Sequence, residues 1–342
     1  TSTLDDNDYF GASVGLVGDL DSDGVDDIAV GALLDDDGGD GHGAVYVLFL
    51  NSDGTVKAEQ KISDTTGGLT GGLDVNDRFG RSVFGIGDLD NDGNYDITVG
   101  AYKDDDGGTD RGAVYVLFLN SDGTVRNEQK ISDTSGGLGT VLDDGDHFGI
   151  AAPGIGDLDG DGLQEIVSYT RGAAVNETHK LTVWEGLTGR MICQVRGGPS
   201  FRETAVTPGP LPGTGWIFAG TNDGAIDRFF YDGKTLVKDL RVMRDEPSCR
   251  VVGAVDLLPE PGLEILVDIG EGELFGVLDR DLEPLAGFVE DEIVGPKLNP
   301  LVWRRDASNT SLVLRNSRAL WVLDISRTPT NYLAMVKNGG YA

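Results

Sequence analysis

Short apolar runs broken by turns rich in Gly, Asp and Asn fill the chain, and apolar stripes at helical spacing are scarce. "AVYVLFL" at 44–50 and again at 113–119, "LTVWEG" at 181–186 and "EILVDIG" at 264–270 combine β-branched and aromatic residues, as strands do. In the first stretch the pattern predicts four strands, about Ala12–Val17, Asp27–Ala32, Gly43–Leu50 and Val56–Ile62. "NSDG" at Asn51, repeated at Asn120, reads as the hairpin turn between the third and fourth. The 52 glycines, free of any collagen triplet, agree with many tight turns. The class is all-β.

The pattern repeats. Phe10-Gly11, Phe79-Gly80 and Phe148-Gly149 are 69 residues apart, as are Asp19, Asp88 and Asp157. "GAVYVLFLNSDGTV" and "EQKISDT" each occur twice at the same spacing, whereas the third copy diverges after Ser168. A stacked solenoid usually has a shorter unit, and a β-sandwich would not repeat at a fixed interval. A four-stranded antiparallel sheet repeated radially is a β-propeller blade. Blade-like pieces continue at 215–237, 251–279 and 311–325, each with strands flanking a turn. The expectation is one propeller over 1–342: three long blades over 1–198 and about three shorter, divergent ones over 199–342. Six blades result, or seven if strands outside this chain complete the ring.

Each long repeat carries an acidic loop: "GDLDSDG" at Gly18, "GDLDNDG" at Gly87 and "GDLDGDG" at Gly156. Asp19, Asp21, Asp23 and Asp27 stand at loop positions 1, 3, 5 and 9, with Gly24 at the sharp turn of position 6. Asp88, Asp90, Asp92, Gly93 and Asp96 repeat this without change. Alternate side chains of a tight loop converge, and the residue at position 7 (Val25, Asn94) can offer its carbonyl. An all-oxygen cage of this kind suits Ca²⁺. Zinc would want His or Cys, and a helical calcium loop would want Glu at position 12, where Val30 and Val99 stand inside a strand. The third loop supplies Asp157, Asp159, Asp161 and Leu163, with Glu165 in place of the last aspartate. Two calcium sites are expected there and a third in this loop.

Net charge is −31, and residues 1–150 hold 31 acidic against 8 basic side chains. So acidic a surface repels nucleic acid and anionic lipid. No apolar run is long enough to span a membrane. The chain starts within a repeat, which is expected of a processed product or a piece of a longer polypeptide or assembly. In a four-stranded blade the acidic loop and the "NSDG" turn share one side. The longer connections, including "LLDDDGGDGH" at 33–42 and "YKDDDGGTDR" at 102–111, open on the other. Asp35, Asp36, Asp37, Asp104, Asp105 and Asp106 are therefore candidates for contact with a cationic partner, or one bridged by further calcium.

The order of Phe-Gly, the loop Asp-x-Asp-x-Asp-Gly-x-x-Asp, and Gly-Ala after the next strand (Gly31-Ala32, Gly100-Ala101) resembles the FG-GAP repeat. That repeat builds the calcium-binding propeller of integrin α subunits and of many bacterial secreted proteins. The match is close over 1–170. Leu33 and Tyr102 stand where the repeat's proline belongs, and the third copy reads Tyr169-Thr170 in place of Gly-Ala. The resemblance implies an extracellular or cell-surface, calcium-stabilised module that binds a protein or glycan in adhesion or ligand recognition.

Two other readings compete: a lectin or carbohydrate-active enzyme on the same scaffold, and a structural unit of a larger surface assembly. No nucleophile–base arrangement points to catalysis. His42 and His147 lie in Asp-rich loops and read as solvated turn residues; His179 flanks a strand. Trp184, Trp303 and Trp321 fall inside apolar strand patterns, which leaves Trp216 as the candidate sugar platform. Cys193 and Cys249 form either one disulfide or two core thiols, and Asn176 and Asn309 head glycosylation sequons.

Overall fold

The computed structural model describes residues 4–138 and 142–151 continuously, and from 154 to 336 the strands with a few of their turns. Strands and turns make up the described residues, and no helix long and apolar enough to cross a membrane is among them. The first sheet is β1 Phe10–Gly18, β2 Asp27–Ala32, β3 Ala44–Leu50 and β4 Val56–Ile62, within two residues of the predicted bounds. The second is β5 Phe79–Gly87, β6 Asp96–Ala101, β7 Ala113–Leu119 and β8 Val125–Ile131. The third is β9 Gly154–Gly156, β10 Glu165–Tyr169, β11 Lys180–Glu185 and β12 Met191–Arg196. Each is an antiparallel meander in chain order. Three further four-stranded sheets span Phe201–Met243, Cys249–Glu290 and Leu301–Val336. These are the sheets of a β-propeller fold.

The chain divides into two compact units. The first holds Thr1–Ser200, Pro210–Thr214 and Tyr231–Val237, and the second holds Phe201–Gly209, Gly215–Phe230 and Lys238–Ala342.

In the first unit, strand alternation explains why "AVYVLFL" is apolar throughout. Successive residues of a strand point to opposite faces of its sheet. Tyr115, Leu117 and Leu119 of β7 therefore pack against Val45, Val47, Phe49 and Ile62 of the first sheet. Val114, Val116 and Phe118 pack the other way, against Phe148, Ile166 and Trp184 of the third. A middle sheet is covered on both faces, so its inner strands carry no polar face.

The Phe-Gly pairs join one sheet to the next. Phe79 and Phe148 are buried, edge-on to Tyr115 and Trp184 with ring centroids 5.4 and 5.6 Å apart. The Phe79 amide donates to the His42 carbonyl of the preceding repeat at 2.9 Å, and Phe148 does the same to Arg111 at 2.8 Å. The following glycine presents its carbonyl to a serine: Ser13 Oγ donates to Gly80 at 2.8 Å and Ser82 Oγ to Gly149 at 3.0 Å. At Gly100 a Cβ would overlap the Gly149 carbonyl, and Gly31 meets Gly80 in the same way. The Gly-Ala motif is thus the socket for the next repeat's Phe-Gly.

Just before each Phe-Gly lies an aspartate that closes its own turn; in the second repeat Asp77 accepts from the Asp74 amide at 2.9 Å. Burial pushes the Asp77 carboxyl up to about 7, with Asp104 and Asp74 adding to the rise and the Asp74 amide and Lys130 opposing it. Between its ordinary value of 3.8 and about 7, the folded chain holds a proton that the unfolded chain releases. Stability is therefore lost as pH rises through that window. Asp77→Asn keeps the hydrogen bond and removes the charge. It should be more stable than the parent by about 3 kcal/mol in urea unfolding near pH 8.5, and nearly equal to it near pH 4. A gain of the same size at both pH values would contradict this.

Candidate metal centres

Both described acidic loops wind the same way. Position 4 (Ser22, φ 60°; Asn91, φ 58°) and position 6 (Gly24, φ 91°; Gly93, φ 95°) adopt left-handed backbone, and that doubled turn draws the odd-numbered side chains together. Asp19 fastens the turn by accepting from the amides of Asp23 at 2.8 Å and Gly24 at 2.9 Å; Asp88 does the same from Asp92 and Gly93 at 3.0 and 2.9 Å. The last aspartate opens the next strand, is fully buried, and anchors two elements. Asp27 accepts from the amides of Leu20 (3.0 Å) and Leu50 (2.9 Å), and Asp96 from Leu89 (2.8 Å) and Leu119 (3.1 Å). Burial raises the Asp27 carboxyl and takes Asp96 to about 7, with Asp90 and Asp92 contributing to the latter.

Asp19, Asp21 and Asp27 each bring one oxygen within 4.8 Å of the others, as do Asp88, Asp90 and Asp96. A cation with ligands at about 2.3–2.6 Å spans oxygens up to about 5 Å apart, so three carboxylates at this spacing fit calcium. The donors are all oxygen, and one of the three is held rigidly from below.

Asp23 and Asp92, also expected as ligands, are held in the same loops by basic side chains. Asp23 pairs with Lys57, and Asp92 pairs with Arg126 at 2.8 Å. Lys57 and Arg126 follow the "NSDG" turns and reach across to positions 3 and 5. Hydrogen bonding from Lys57 holds the Asp23 carboxyl below its ordinary value. Val25 and Asn94 donate their amides to Asp23 and Asp92 at 2.9 and 2.8 Å. Of the third loop, Asp157, Asp159, Asp161 and Leu163 lie outside the described residues, while Glu165 is buried at the start of β10.

The acids assigned to the long connections are largely turned inward. Asp35 is buried and pairs with Lys61 of β4 at 2.8 Å, and Asp37 completes the clamp at 2.5 Å. Lys130 of β8 takes Asp104 at 2.7 Å and Asp106 at 2.9 Å. Each ammonium also lies 5.4 Å from the centroid of a tyrosine ring, Tyr46 or Tyr115. Burial alone would lower the Lys61 pKa, but the hydrogen bonds it donates to Asp35 and Asp37 outweigh that and raise it. Only Asp36 and Asp105 of the six stay exposed.

Other candidates resolve differently from expectation. His42 is buried rather than solvated, 3.7 Å from Asp64, because its loop folds back on the next repeat; His147 is half-buried against Tyr102. Trp184 is core and donates to Ser168 Oγ at 2.7 Å. Trp216 packs on Phe230 with the Arg228 guanidinium 5.7 Å from its ring, so a cation already lies over it. Cys193 is a free thiol that burial pushes up to about 12. Trp303 and Trp321 stand in strands Leu301–Asp306 and Leu320–Asp324, as expected; their side chains and that of Cys249, and His179 and Asn176 altogether, lie outside the described residues.

No family model matches the chain. Integrin alpha-5 of Xenopus laevis is 36% identical over 164 residues, which cover 46% of this chain and 14% of that protein. Integrin alpha-PS5 of Drosophila melanogaster is 36% identical over 171 residues, 48% of this chain and 15% of the relative. Integrin alpha-11 of Homo sapiens is 32% identical over 173 residues, 49% and 13% of the respective chains. The chain thus spans about a seventh of the length of the curated relatives it matches. About half of it is an integrin-α-like segment. Among solved structures, BBS1N from its complex with ARL6DN shares the fold, with a TM-score of 0.52 at 11% identity over 92% of this chain and 77% of that one.

Proposed function

We propose that residues 1–342 form a single, non-catalytic, calcium-stabilised β-propeller that acts outside the cell as an adhesion or ligand-binding module. The observation that carries this reading is the pair of like-built acidic cages, 69 residues apart, each closed by a buried aspartate that ties two strands together. Three carboxylates forced within one loop repel one another, and a divalent cation reverses the sign of that interaction. Because the cage exists only in the folded chain, binding adds to stability. Similarity to integrin α subunits over about half the chain supports the adhesion role.

The longer connections are loops carried by rigid sheets, and the partner is proposed to dock there. The exposed Asp36 and Asp105 supply its negative charge, which favours a cationic protein or glycan, or a calcium bridge. A glycan and protein array probed in calcium and in chelator tests this. Calcium-dependent capture without turnover is expected, weakened several-fold by replacing Asp36 and Asp105 with serine while the calcium-dependent shift of the melt stays unchanged. Turnover of a captured glycan, or capture indifferent to both changes, would overturn it.

A further inference from the structure

We infer that Lys57 and Arg126 are tethered counter-cations that weaken calcium binding by the loop each one faces, and so set its affinity; this rests on the calcium reading above. Lys57 is the second residue of β4, just after the Asn51–Gly54 turn, and its ammonium lies 2.8 Å from Asp21 Oδ2 while also bonding Asp23. Arg126 holds the same place in β8 and reaches Asp90 and Asp92. The separation along the chain is 36 residues in both repeats, for Lys57 to Asp21 and for Arg126 to Asp90. Two different basic side chains thus make one contact at equivalent positions.

Asp21 and Asp90 belong to the oxygen clusters that fit a cation, so the basic group and a metal ion draw on the same carboxylates. The first loop, 19–27, holds five aspartates and the second, 88–96, four, and the basic residue offsets one of these charges at the rim. A divalent ion entering beside it meets a weaker field and must compete for oxygen lone pairs. The opposite effect appears without added metal: the tether offsets repulsion among Asp19, Asp21 and Asp23 and keeps the loop wound. Lys57 and Arg126 are partly exposed, so the ion can displace them into water without burying a charge.

Removing the tether should therefore raise calcium affinity and lower stability in chelator. Calcium titration calorimetry of the full chain, Lys57→Met and Arg126→Met measures the first. Each variant should tighten its own site about three- to tenfold, with the other site unchanged and the gain shrinking at high salt. Lys57→Gln, which keeps length and polarity, should behave as Lys57→Met. In excess chelator the variants should melt below the parent. Parent protein that binds calcium while folded variants bind it equally or more weakly overturns the tether and leaves the calcium reading standing. Parent and variants that all give no calcium heat overturn both.

Discussion

Gly100→Ala is expected to prevent the first unit from folding, or to destabilise it by more than about 4 kcal/mol. A single methyl group there would sit inside van der Waals contact with the Gly149 carbonyl and close to Ser82 Oγ. Both obstacles are fixed: the carbonyl accepts the Ser82 hydroxyl, and Phe148 beside it is buried against Trp184. The clash is with backbone, so no rotamer change relieves it. Gly31→Ala should fail in the same way through Gly80, whereas Gly54→Ala meets open space and pays only for its left-handed φ of 81°. Circular dichroism and urea unfolding of the three variants check the order. A Gly100→Ala protein as stable as the Gly54→Ala protein would contradict the socket.

Lys130→Met is expected to cost about 3 kcal/mol, near the lower end for breaking a buried ion pair, because the lysine is partly exposed. The loss arises at Asp104, which is 1% exposed and keeps only the Tyr115 hydroxyl at 3.4 Å and the Asp106 amide at 3.0 Å. Burial already raises the Asp104 carboxyl against the lowering by Lys130, and without the lysine it takes up a proton more readily, so the deficit should shrink as pH falls into the acid range. Lys130→Met combined with Asp104→Asn should recover most of the stability at neutral pH. Unfolding curves across pH decide it; a deficit that neither acid nor the second substitution relieves would point to lost packing of the lysine stem instead.

The strands were legible because two local signals agree. Turn residues punctuate the chain, and the uniform apolar run of β7 is what a strand buried on both faces requires. The cage was legible because a Gly at position 6 between alternating aspartates has one geometric consequence. The ion pairs were harder. Nothing near Lys61 says that it meets Asp35, 26 residues earlier, because the two are joined only by sheet pairing. The signal that finds them is the repeat itself: Lys57 and Arg126, and Lys61 and Lys130, are 69 residues apart, as the aspartates are. The loop alone shows no hairpin beside position 5, so its ion pair is not legible there, and the burial of His42 depends on the next repeat.

Calcium titration calorimetry paired with thermal melts tests the central claim most directly. The parent chain should bind at least two calcium ions, and its melting temperature in saturating calcium should exceed that in excess chelator by several degrees. Each site contributes about 2.7 kcal/mol when calcium is at about 100 times its Kd. Asp21→Ala and Asp90→Ala should each remove one ion, with a smaller change for Asp159→Ala, whose loop ends on Glu165. Equal melting temperatures in calcium and chelator, with no heat of binding, would contradict the account.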